Sequence, residues 1–85
     1  MTRQEIFAVV KVNIQAIVEG AAGVEIHEEM SLRDLGADSL EVVEVVSRSM
    51  KQLKIKVPRT ALATATNLKG MVDLFHNAAS QQAVA

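Results

Sequence analysis

The chain has no cysteine, no tryptophan and no tyrosine, and a single proline among 85 residues. Without cysteine there is no disulfide framework, no thiolate metal site and no thiol redox chemistry. Two phenylalanines make up the whole aromatic complement, too few for a base-stacking platform along single-stranded nucleic acid. The net charge of −1 argues against a general DNA or RNA binder that works by neutralising phosphates. With two histidines, a His-rich metal site is excluded as well. Lys11 and Asn13 interrupt the first apolar stretch. Neither a signal peptide nor a membrane span is therefore expected, and a cytoplasmic location follows as the default.

What is present describes a small globular domain. Hydrophobic residues make up 49% and charged residues 22%, an ordinary balance for a packed soluble fold. A chain of this length buries roughly 60–65% of its unfolded surface, enough for one core. Charge is unevenly placed. Residues 1–47 sum to −6 and residues 48–85 to +5. Such a split is either two solvated faces of a bundle or a docking surface whose sign pattern selects partners.

Periodicity supplies the elements. Phe7, Val10, Ile14 and Ile17 step by three and four, with Ile6 and Val18 widening the stripe, so a helix is expected from about Thr2 to Glu19. Gly20 and Gly23 are expected to end it. Residues 20–38 read as a loop with Ile26, Met30, Leu32 and Leu35 as anchors, and loops of that length are uncommon unless functional. Gly36 permits a turn, Asp38 is a good helix N-cap, and Glu41 three residues on completes a carboxylate capping box. A second helix is therefore expected over 39–53, with Leu40, Val43, Val46, Met50 and Leu53 as its stripe. Val42 and Val45 make it apolar on a second side, which points to partial exposure for a partner. Pro58 breaks the pattern, residues 60–64 form one short turn, and Thr66 or Asn67 caps a last helix striped by Leu68, Met71, Val72 and Phe75. The tail from Asn77 lacks periodicity and is expected to fray, leaving about 2–76 ordered within one domain spanning 1–85.

Little of this chemistry is catalytic. His27, His76 and the Glu28–Glu29 pair read as surface residues. No histidine or lysine pattern marks a base for Ser39, and no Gly-rich phosphate loop occurs, which disfavours a small serine hydrolase. Taken alone, Asp38-Ser39-Leu40 is helix-start chemistry, and a helical interaction module remains open on that ground.

The wider context is Leu32-Arg33-Asp34-Leu35-Gly36-Ala37-Asp38-Ser39-Leu40, with Val57-Pro58 downstream. In a helical chain of this length, it closely resembles the acyl carrier protein family over about residues 2–76. The resemblance implies an all-α bundle of three main helices plus one short helix, with a long loop between the first two. It implies 4′-phosphopantetheine esterified to Ser39, with Asp38 beside it and acyl groups carried as thioesters on the arm. Leu40, Glu41, Val43 and Glu44 map onto the face that partner enzymes read, although core packing is an equal reading of Leu40 and Val43. Asp34 and Asp38 would add to an acidic rim. A chain of this kind is a non-catalytic, monomeric carrier that needs a phosphopantetheinyl transferase. It binds neither nucleic acid nor membrane.

The chain departs from the resemblance in sign. Typical fatty-acid carriers are acidic along the second helix, whereas this one turns basic after Glu44, at Arg48, Lys51, Lys54, Lys56 and Arg59. Dedicated partners are expected, reading Ser47, Lys51, Lys54 and Arg59 as well. Residues 56–75 resemble the free-standing donor carriers of polyketide β-branching cassettes, found in antibiotic biosynthesis. That implies a 3-hydroxy-3-methylglutaryl (HMG) synthase-like partner, and an acyltransferase or decarboxylating ketosynthase supplying the acetyl unit. Carriers of other fatty-acid or polyketide pathways remain open.

Overall fold

Thr2 stops the chain from coiling freely and starts the first helix. Its hydroxyl accepts from the Glu5 N–H at 3.1 Å, while the Glu5 carboxylate accepts from the Thr2 N–H at 2.9 Å, a reciprocal capping box. In a computed structural model describing residues 1–82, four helices follow: α1 (Arg3–Ile17), α2 (Ser39–Leu53), α3 (Arg59–Leu62) and α4 (Leu68–Gln82), with a 3-10 turn at Glu19–Ala21. This is the expected all-α bundle, three long helices plus a short one, with the long loop between α1 and α2. Helix α1 packs against both α2 and α4, and α3 touches α4. Among the described residues no helix is long and apolar enough to cross a membrane.

The core is built around Phe75, Ile6, Ile14, Leu68 and Val10, all fully buried. Fully burying a side chain of this kind contributes about 1.5–3 kcal/mol. The α1 stripe is centred one position away from the expected one. Ile6, Val10 and Ile14 are buried, whereas Phe7 and Ile17 only border the core, and Phe7 lies under the Lys11 ammonium at 4.8 Å. Asn13, which interrupts the apolar pattern, is buried too. Its amide donates to Ser49 Oγ at 2.9 Å and to Gln52 Oε1 at 3.0 Å, so α1 and α2 are held together by a satisfied polar contact inside an apolar seam.

Two ends differ from expectation. Helix α1 stops at Ile17 rather than Glu19, and no glycine ends it. Val18 turns extended (φ −94°, ψ 107°), which keeps its side chain in the core, and Gly20 sits inside the 3-10 turn. At the other end the tail does not fray at Asn77. Helix α4 runs on to Gln82 because Ala78 is buried and Ala79 packs against the core, and alanine and glutamine favour helix. The last three positions of the expected tail, 83–85, lie outside the described residues.

The start of α4 explains how the long loop is held. Leu68 and Lys69 donate their N–H groups to the carbonyls of Met30 and Glu28 at 2.9 and 2.8 Å, and Asn67 Oδ1 accepts from the Gly70 N–H at 3.0 Å. Three of the helix's orphan donors are thereby satisfied, two of them by the loop. Asn67 is thus the cap. Gly70, costly in a helix by about 1 kcal/mol, is there for space: a Cβ would sit 3.3 Å from the Ala65 Cβ. Arg3 adds a clasp, pairing with Glu28 at 2.9 Å and Asp73 at 2.8 Å, each pair worth at most about 1 kcal/mol at this exposure.

Replacing Asn13 with Ala is expected to cost about 1–3 kcal/mol in urea denaturation. Ser49→Ala is expected to cost less in that background than alone, because the two groups share one interaction. A second expectation concerns acid. Hydrogen bonding from the Thr2 backbone, then from its side chain, holds the Glu5 carboxylate below its ordinary 4.5. Its stabilisation is present above that value and lost as pH falls through the lower folded value. The melting-temperature gap between wild type and Glu5→Gln should therefore close on acidification below 4.5.

Candidate functional site

The loop delivers one serine to a defined place. Between Leu32 and Gly36 the chain makes a tight turn, with Leu35 and Ala37 N–H donating to the Leu32 carbonyl, each at 3.1 Å, and Gly36 N–H to that of Arg33 at 2.9 Å. Leu32, Leu35 and Ala37 are buried, and Ser31 and Asp34 close the turn from outside through two reciprocal bonds of 3.0 Å. Gly36 leaves the turn at φ +90°, a region in which any side chain is strained. That exit sets Asp38 at the N-cap of α2 (φ −86°, ψ 177°).

The α2 cap is complete. Asp38 Oδ1 accepts from the Glu41 N–H at 2.8 Å, and Glu41 Oε1 from the Asp38 N–H at 3.0 Å. Both carboxylates are thus engaged with backbone. Ser39 follows as the first helical residue and is exposed. Its N–H and that of Leu40 donate to nothing among the described residues, so two amides at the positive end of a 15-residue helix are open to an anion. The hydroxyl beside them can be esterified without moving any packed group. A phosphodiester at that oxygen fits the donors present.

The face around Ser39 is apolar and open. Leu40 is 81% exposed and Val43 48%, which decides against core packing for both. The buried side of α2 is instead Val45, Val46, Ser49 and Leu53. Glu44 and Ser47 are exposed next to Val43, and Lys51 and Lys54 follow along the helix. Arg59 opens α3 and lines, with Val43, Ser47 and Met50, a groove of about 470 Å³ between α2 and α3. Sequence reasoning missed that groove's inner wall and a second groove of about 450 Å³ where the loop, α2 and α4 meet. Val42, Val46 and Leu62 line both. The i, i+4 spacing of Val42 and Val46 on a half-buried helix was the available signal. Asp34 is exposed but committed to Ser31.

Comparison with known proteins places these features. The sequence matches the phosphopantetheine attachment site family over residues 13–75. It is 29% identical over 77 residues to the polyketide biosynthesis acyl-carrier-protein AcpK of Bacillus subtilis (strain 168), covering 91% of this chain and 94% of that protein. Among solved structures it is similar to a chain of the crystal structure of the curacin biosynthetic pathway HMG synthase in complex with acetyl donor-ACP. There the TM-score is 0.79 and the identity 28%, over 88% of this chain and 96% of that one.

Asp38→Ala is expected to cost about 1 kcal/mol and to speed hydrogen exchange at the Glu41 amide, while Asp38→Asn keeps most of the cap. Urea midpoints and amide exchange rates of the two variants check this.

Proposed function

We propose, from the premise that this chain belongs to the phosphopantetheine attachment site family and is an acyl carrier protein, that Ser39 is the residue that receives the arm. The observation that carries the assignment is an exposed hydroxyl at the first turn of α2, next to two unengaged helix amides. When attached, 4′-phosphopantetheine supplies the thiol that this cysteine-free chain lacks, so acyl groups travel as thioesters. The chain's own residues bind and present. Asp38 and Glu41 fix the first turn, the amides of Ser39 and Leu40 favour the phosphodiester charge, and Leu40 and Val43 offer an apolar contact to visiting enzymes. In this reading the chain performs no bond chemistry itself.

The narrower reading is a free-standing polyketide carrier that donates acetyl to an HMG-synthase-like β-branching enzyme. Two things support it. The Lys56-Val57-Pro58-Arg59 segment and the α3–α4 sequence resemble such donor carriers, and the similar solved chain comes from a complex of that kind. Its other partners would be a phosphopantetheinyl transferase and an acyltransferase or decarboxylating ketosynthase.

Incubation with coenzyme A and a broad-specificity phosphopantetheinyl transferase should raise the intact mass by one phosphopantetheine, and Ser39→Ala should abolish the gain. Acetyl-loaded protein should then pass its acetyl group to a β-branching HMG synthase. A folded chain with no mass gain would remove the assignment of Ser39. Loading without transfer to the synthase would remove the donor role alone.

A further inference from the structure

The 3-10 turn that follows α1 meets the loop that precedes α2. Gly20 is the middle residue of that turn, and a Cβ built on it would stand 3.2 Å from the Leu35 carbonyl oxygen. The backbone does not demand a glycine here. Gly23 and Gly36 have positive φ, at 77° and 90°, and Gly20 does not. Nor does Gly20 end α1, whose C-cap is Val18. What the position requires is the absence of a side chain, so that two turns distant in sequence can touch. Helix α1 thus grips the loop at two places: through Arg3 on Glu28 at its start, and through Gly20 against Leu35 just past its end.

A methyl group at position 20 would press that oxygen back by a few tenths of an ångström. The 3-10 turn is not the side that yields. Val18 before Gly20 and Ala21 after it are fully buried, and the Ala21 N–H donates to the Val18 carbonyl at 3.1 Å. The Leu35 side chain is buried as well. The movable part is the peptide between Leu35 and Gly36, to which the pressed oxygen belongs. It turns about Gly36 φ, the softest torsion of the segment because glycine has no Cβ. Such a turn strains the 2.9 Å bond from the Gly36 N–H to the Arg33 carbonyl and re-aims the chain that leaves it. Ser39 follows within about 10 Å of extended chain, so a rotation of roughly 5° swings it by up to about 1 Å.

We propose that Gly20 is a positioning residue for the modification of Ser39. By leaving the Leu35 carbonyl in place, it fixes the direction in which the chain leaves Gly36, and so the point at which the Ser39 hydroxyl is offered to the phosphopantetheinyl transferase. The functional half of this rests on Ser39 being the attachment residue; the contact between Gly20 and Leu35 does not. In the transfer, Ser39 Oγ bonds to the phosphorus of coenzyme A that bears the pantetheine. The pyrophosphate link breaks, adenosine 3′,5′-bisphosphate leaves with the electron pair, and the hydroxyl proton is released. A displacement of this kind depends on where the nucleophile stands, and a misplacement of about 1 Å can cost about 10²-fold in rate. Gly20 takes no part in the bond that forms. It acts through Leu35 and Gly36.

The test compares Gly20→Ala with Gly23→Ala in the full unmodified chain. Gly23 is the control because a Cβ there meets nothing within 4 Å, while its φ of 77° strains any side chain. Gly23→Ala should therefore lower the urea midpoint without pressing on the loop. In ¹⁵N NMR spectra, Gly20→Ala should move the amides of Gly36, Asp38, Ser39 and Glu41, and Gly23→Ala should move only those of its own turn. With coenzyme A and the transferase, Gly20→Ala should lower kcat by at least about fivefold and leave KM for the chain within about twofold. A merely destabilised chain does the opposite, since a smaller competent fraction raises the apparent KM and leaves kcat where it was. Adding Ala21→Gly removes the methyl that pins the 3-10 turn, so the double variant should regain at least half of the lost kcat with a urea midpoint still below wild type. Unmoved amides over 36–41, an unchanged kcat, or an equal kcat loss in Gly23→Ala would overturn the proposal. If Gly20→Ala does not fold, a folded double variant upholds the contact, and failure of both overturns it. A wild-type chain that takes no arm removes the assignment of Ser39 instead, and the amide shifts still decide whether Gly20 sets the exit at Gly36.

Discussion

Burial of Leu32 and Leu35 is the constraint on which the start of α2 depends. Both side chains are in the core, so the turn between them cannot slide, and the chain must leave it through Gly36 in a fixed direction. Asp38 then arrives at the cap position already oriented, and Ser39 is left facing solvent. The turn is braced from behind, because Met30 and Glu28 give their carbonyls to the first amides of α4. One segment of irregular chain thus satisfies a helix that follows it by some thirty residues and positions another that follows directly. A loop that looks structureless in sequence acts as a rigid bracket.

Helix α2 divides its circumference among three tasks. One side, Val45, Val46 and Leu53, joins the core, and Ser49 meets Asn13 there in the only polar contact between buried side chains among the described residues. That contact prevents α1 and α2 from sliding past one another, since a shift by one turn would strand both groups without partners. A second side forms the wall of the two grooves. The third faces outward and is graded from apolar to basic. A short amphipathic helix usually has two faces; a third is available here because α3 is only four residues long and leaves much of α2 uncovered.

This arrangement suits a chain whose chemistry belongs to an attached group. The protein needs a stable platform and an accessible hydroxyl to hold that group. The platform comes from the three long helices. The hydroxyl stands on the first residue of α2, which the loop sets in place.

Much was legible in the sequence because it was local. The α2 bounds, its cap by Asp38 and Glu41, the turn at Gly36 and the break at Pro58 are all settled by side chains within a few residues of the backbone they act on, and the last helix's cap was narrowed to Thr66 or Asn67, of which Asn67 caps. The motif around Ser39 is local in the same sense, which is why a candidate site could be proposed from the chain alone. What the sequence did not disclose depends on contacts between distant segments. Asn13 reads as a break in an apolar stripe until Ser49 and Gln52 are placed beside it. Phe7 and Ile17 fit the helical period as well as Ile6 does, and only the positions of α2 and α4 choose between them. The segment after Asn77 has no period of its own, yet burial of Ala78 against the core keeps it helical. Leu40 and Val43 are as apolar as Val45 and Val46, and only tertiary packing decided which pair would be buried and which would face solvent.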